Sequence, residues 1–222
     1  MLLAVDTSTK WVSLALYDGI FIHYEKTWQS QFHHTVELAP AIDDLFAHAG
    51  FSMAELTGLA VAIGPGSFTS LRIGLAAVKG ISLGLNIPVV GVPSLDVIAY
   101  AQPVDDKPMI AVLQAGRHKL AYVPYQAESG QWVAQAAPEV IDAQDLVKSI
   151  EAPTWVCGEL SAEARSTIGR RWKNALIVSP ARAVRRAGYL AEIGWQRLMD
   201  KQVDDPIALT PIYLSTVDIP SA

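Results

Sequence analysis

The sequence predicts an α/β protein of two lobes, on three observations. The first hundred residues read in the order β-β-β-α-β-α-β-α, from short apolar strands and helices of clear period. A Pro- and Asp-rich stretch over 102–108 then breaks the pattern and marks a boundary. Beyond it comes a second set of strands and helices. The expected first lobe is 1–103, completed by a helix within 182–200. The expected second lobe is 104–181, with the tail 205–222.

Each element follows from its pattern. Strands are expected at 1–5, 11–16 and 20–27, the last two joined through the Asp18-Gly19 turn signal. Helical spacing of Val36, Leu38, Ala39, Ile42, Leu45, Phe46 and Ala49 predicts a helix over 35–48, with Pro40 in its first turn or at a kink. A strand over 56–63, a helix over 67–85, a strand over 87–92 and a short helix over 94–100 complete the first lobe. The second lobe should hold strands at 109–113, 120–125, near Trp132, at 154–157 and at 175–178. Helices are expected over 143–150 and, unbroken, over 182–198.

Composition bounds the function. The chain has 222 residues, enough for a substantial core, and 51% of them are apolar, so some apolar surface is expected to meet a partner. The apolar run over 80–95 is cut by Asn86, Pro88 and Pro93, so no membrane span is expected. No signal peptide is expected either, because Asp6 interrupts the first apolar run. A single cysteine, Cys157, excludes an internal disulfide and fits a reducing compartment such as the cytoplasm. With 17 basic and 22 acidic residues the net charge is −5, which does not suit gripping nucleic acid unaided.

Four segments carry a resemblance. They are Leu3-Ala4-Val5-Asp6-Thr7-Ser8, His34-Thr35 before a helix, Gly64-Pro65-Gly66-Ser67-Phe68-Thr69-Ser70-Leu71-Arg72-Ile73-Gly74, and Pro88-Val89-Val90-Gly91-Val92-Pro93-Ser94-Leu95. With the terminal Pro211-Ile212-Tyr213-Leu214, they resemble the TsaB (YeaZ) family. The resemblance implies the actin/hexokinase/Hsp70-like (ASKHA) fold, its second lobe degenerate. It implies a role in making threonylcarbamoyladenosine at position 37 of tRNAs that read codons beginning with A. It also implies a non-catalytic scaffold that pairs with a TsaD-like catalytic subunit and helps recruit a TsaE-like ATPase. On that view tRNA is met only through the complex, the free chain is a homodimer, and ATP or ADP with Mg²⁺ acts at the level of the complex. Two stretches depart from the family: 114–121, where an Asp-Ala-Arg is usual, and Ser215, where an Arg is usual.

The residues themselves leave chemistry and docking both open. Asp6, Thr7 and Ser8 at a strand end, facing Gly64, Gly66 and Ser67 before a helix, form a loop pair of the kind that faces phosphates and Mg²⁺. The loop lacks the Lys of a Walker A motif, so it would hold a nucleotide weakly if at all, and Ser67 also reads as a simple N-cap. The alternative to a scaffold is a small-molecule kinase or phosphohydrolase using Asp6. No metal site is expected, because Ser94 and Ile98 stand where relatives carry a His-x-x-x-His pair. No catalytic residue is assigned, and Cys157 should pack rather than react.

Ala76, Gly80 and Gly84 recur at every fourth residue and give one helix face without bulk. The expected subunit interface is Thr35, Leu38, Ala39 and Ile42 on one helix, with Ile73, Ala76, Ala77, Gly80, Ile81 and Gly84 on the next. Arg165, Arg170, Arg171, Lys173, Arg182, Arg185 and Arg186 read as a solvated basic face or as phosphate contacts.

Overall fold

A computed structural model describes residues 1–31, 33–116, 118–170 and 173–214. The first sheet has five strands in the order β3-β2-β1-β4-β5. They are β1 (Leu2–Asp6), β2 (Trp11–Tyr17), β3 (Ile22–Gln29), β4 (Gly58–Ala62) and β5 (Val89–Val92). The hairpin strands β2 and β3 are antiparallel, whereas β1, β4 and β5 run parallel. Parallel neighbours need crossovers, and α1 (His34–Ala49) and α2 (Phe68–Leu85) supply them.

Period-two alternation divides this sheet between two cores. Leu3, Val5, Leu14 and Leu59 pack under α1 and α2 with Leu38, Ile42, Leu45, Leu75 and Val78. Leu2, Ala4, Ala15, Ala60 and Ala62 face the other way. They are covered by α7 (Ala187–Met199) through Ala187, Leu190 and Ala191. A strand buried on both faces has to be apolar throughout, as β1 and β4 are.

The second sheet runs β11-β10-β6-β7-β8, with β9 also paired to β7. Its strands are β6 (Met109–Gln114), β7 (Lys119–Glu128), β8 (Gln131–Ala134), β9 (Glu139–Asp142), β10 (Thr154–Gly158) and β11 (Ala175–Ile177). One face packs on α3 (Ser94–Tyr100) and α6 (Pro180–Ala183) through Met109, Ala111 and Leu113. The other packs on α4 (Ala143–Ser149) and α5 (Ala162–Gly169) through Ile110, Val112 and Val156.

Four expectations need correction. The helix expected over 182–198 is two helices, because 184–186 is extended between α6 and α7. That break turns Arg185 inward. β9 and α5 are present without having been expected, and both are short and only weakly patterned. The tail was expected on the second lobe, yet 204–212 lies along the first. Asp204 bridges to Val89 at the edge of β5, Leu209 joins the core under α1 and α2, and the Ile212 N–H donates to the Ile63 carbonyl at 2.7 Å. Among the described tail residues, Leu214 alone packs on the second-lobe core. Residues 215–222, Ser215 included, and Arg171 lie outside the described residues. Finally, α2 is long and apolar enough by composition to cross a bilayer, although no such stretch was expected. In the fold its inner face packs on the first sheet, and Arg72 and Lys79 interrupt it.

Candidate functional site

The strand ends of β1 and β4 bring the two expected loops together, and each loop consumes the other's polar groups. The Asp6 carboxylate accepts the Ser8 N–H through Oδ1 at 2.8 Å. The Ser67 N–H donates to the Ser8 carbonyl at 2.7 Å, and Thr7 Oγ1 donates to the Ser70 carbonyl at 2.7 Å. Ser8 Oγ and Ser94 Oγ are hydrogen-bonded at 2.6 Å, and Ser94 Oγ accepts the Gly64 N–H at 3.1 Å. Ser67 occupies the N-cap position of α2, but its hydroxyl caps no helix N–H and instead accepts from Ser70 Oγ.

The glycines of the loop exist for this close approach. A Cβ on Gly66 would meet the Ser8 carbonyl oxygen, and one on Gly74 would meet Thr7 Oγ1. Gly64 also needs its φ of +104°. Gly66→Ala should therefore destabilise the chain by about 1–3 kcal/mol, read as a lowered urea midpoint. An unchanged midpoint would remove the packing explanation for this glycine.

The centre of the interlobe cleft holds Arg185. Its side chain is 1% exposed and joins both lobes. Nε donates to Asp6 Oδ2 at 2.8 Å, Nη1 to Glu159 Oε1 at 2.5 Å and Nη2 to Thr9 Oγ1 at 3.1 Å. Thr9 Oγ1 in turn donates to Glu159 Oε1 at 3.0 Å. Asp6 ends β1 in the first lobe, and Glu159 follows β10 in the second. Burial alone would depress the guanidinium pKa, but the Asp6 and Glu159 charges outweigh it and hold the group above its ordinary value. Both Asp6 oxygens thus have partners, so the carboxylate that would face Mg²⁺ is spent on an internal cation. This geometry does not favour the kinase reading.

Three more of the basic residues are held in contacts within the fold. Arg186 pairs with Glu25, Arg165 donates to the Val178 carbonyl and Arg182 to Gln102 Oε1. Ile98 sits in the second-lobe core. Cys157 is wholly buried, and burial pushes its thiol pKa up to about 12, so it packs.

The expected interface residues separate into two groups. Leu38 and Ile42 are core residues, 3% and 4% exposed, and do not reach a surface. Ile73, Ala77 and Ile81 are half-buried against the same core. Thr35, Ala39, Ala76, Gly80 and Gly84 are exposed on the neighbouring helices α1 and α2. A Cβ on Gly80 or Gly84 would meet nothing within 4 Å. Val36 and Leu83 stand exposed on the same two helices, at 68% and 61%. The chain's own sheet therefore does not account for the smooth face of α2.

The model of the family described as TsaD, tRNA N6-adenosine threonylcarbamoyltransferase, matches residues 28–170, well over half of the chain. The chain belongs to this family. Within it the chain falls with the TsaB (YeaZ) members. It is 29% identical over 177 residues to the tRNA threonylcarbamoyladenosine biosynthesis protein TsaB of Escherichia coli, covering 78% of this chain and 72% of that one. It is 26% identical to TsaB of Haemophilus influenzae, over 96% and 92% of the two chains. YeaZ from Pseudomonas aeruginosa superposes with a TM-score of 0.80 at 22% identity, covering 96% and 99%. The fold is the ASKHA fold of that protein.

Proposed function

We propose that this chain is the scaffold subunit in forming N6-threonylcarbamoyladenosine in tRNAs that read codons beginning with A. It pairs with a TsaD-like catalytic subunit, helps recruit a TsaE-like ATPase and meets tRNA only through the complex. The observation that carries this reading is the exposed small-residue face of α2, Ala76, Gly80 and Gly84, beside Thr35 and Ala39 of α1. Each helical glycine costs about 1 kcal/mol against alanine. Close approach of a partner helix offsets that cost, and nothing among the described residues does. We assign the same face to a homodimer of the free chain. Nucleotide and Mg²⁺ then act in the assembled complex and not in this cleft, whose polar groups are already paired.

The test is reconstitution. Modified adenosine should form on tRNA only when this chain is added to its TsaD-like and TsaE-like partners. The isolated chain should show no Mg²⁺-dependent ATP hydrolysis above background. Hydrolysis that Asp6→Ala removes would overturn the scaffold reading in favour of a phosphotransfer enzyme.

A further inference from the structure

A crevice of about 620 Å³ opens on the outer side of α3, between β8 of the second lobe and α7 of the first. That volume lies within the range of ligand-binding clefts, about 300–1,000 Å³. Three of its features belong together. The first is a free sheet edge, since β8 ends the strand order. The register pairs Glu128 with Gln131 across a two-residue turn, and the Gln135 N–H donates to the Pro124 carbonyl. Antiparallel pairs alternate, so the N–H and C=O groups of Trp132 and Ala134 point away from β7. β8 reads Gln-Trp-Val-Ala, without the charge or proline that commonly guards an edge. By contrast, the edge of β5 is covered by Asp204, and β3 carries His23, Glu25 and Lys26.

The second feature is charge. Asp96 and Asp200 line the crevice, whereas Arg197 is its single basic residue and gives Nη1 to the Gly91 carbonyl. Asp96 accepts the Tyr125 hydroxyl through Oδ1 at 2.7 Å. Burial raises its pKa, an effect that the Tyr125 bond and Arg197 oppose. The third feature is apolar wall, from the half-buried Trp132 ring and the exposed Tyr100 side chain.

We infer that this crevice is a docking site for an extended, basic peptide segment of a partner protein, added as a strand to the free edge of β8 with a lysine or arginine directed to Asp96. Outward backbone groups at alternate positions ask for another strand, and the acidic excess selects a basic one. A small-molecule ligand would leave the Trp132 and Ala134 groups unmatched.

The probe is the capped peptide acetyl-Thr-Val-Lys-Val-Thr-amide, titrated into the ¹⁵N-labelled full chain. Binding tighter than about 1 mM should shift the Trp132 and Ala134 amides. N-methylating one alternate set of peptide nitrogens should weaken binding at least about tenfold, and methylating the other set should not, because only one edge of a strand pairs. Ala134→Pro removes an outward N–H alone and should abolish binding. Asp96→Asn should weaken it about fivefold and keeps the proposal testable should the proline variant fail to fold. Three results would overturn the inference: no shifts at the weak limit, equal effects of both methylated sets, or the same shifts from n-butylamine alone. The last would make the crevice an amine site without strand addition.

Discussion

Gly80→Arg should leave the monomer folded and abolish its association with a TsaD-like subunit. A Cβ at this position enters open space, so nothing among the described residues resists the new side chain. Replacing a helical glycine should even stabilise the monomer by about 1 kcal/mol, a rise in Tm of about 2 °C. In a complex the arginine would stand between two closely packed helices with its charge unpaired. A cost of about 3–5 kcal/mol lowers affinity by more than about 100-fold. Light scattering and co-purification read the pairing, and calorimetry reads the fold. Unchanged association would remove the α2 face from the interface. Ala77→Arg is a poorer probe, because Ala77 is half-buried against the first-lobe core and its loss of pairing would be mixed with unfolding.

The second large effect is expected at Arg185. Arg185→Met keeps the bulk of the side chain but leaves without their cation the buried Asp6 carboxylate and the Glu159 carboxylate, which is 13% exposed. Breaking a buried pair by removing one partner costs about 3–5 kcal/mol, a large share of a typical domain's margin of about 5–15 kcal/mol. Urea denaturation should show the loss. Adding Asp6→Asn should recover part of the loss at neutral pH, since it removes one of the two stranded charges. A variant as stable as the parent would mean that the cleft admits enough water to solvate both acids.

The elements were legible in the sequence where they had to bury a face. β1, β4 and β5 are apolar because both of their faces are covered, and α2 shows its length and its turn. The helix α1 was legible as an element but not in its orientation. Its periodic residues Leu38 and Ile42 were expected at a subunit contact, yet a periodic apolar stripe marks the core side of a helix. Its outward face carries Thr35 together with Val36 and Ala39, two apolar residues of the same spacing that lie at the margin of the stripe. The cleft was half legible. Asp6, Thr7, Ser8, Gly64, Gly66 and Ser67 do converge, but on one another. Arg185 was hidden among neighbouring basic residues, 179 positions from its Asp6 partner. A signal was present in Val184-Arg185-Arg186, which places two charges inside what otherwise reads as one apolar helix. Glu159 carried none, because its place is set by Gly158 at a φ of +119° and by the sheet around it.

The position of α7 has a consequence for synthesis. The face of the first sheet formed by Leu2, Ala4, Ala15, Ala60 and Ala62 is buried only because α7, near the end of the chain, lies across it. Gly194 brings that helix so close that a Cβ would strike Ala60. A nascent chain that has finished its first hundred residues therefore carries an uncovered apolar sheet while the whole second lobe is translated. The first lobe closes last although it is made first. Chains truncated before residue 187 should accordingly be recovered in aggregates, and a helper that shields apolar surface during translation would act on this face.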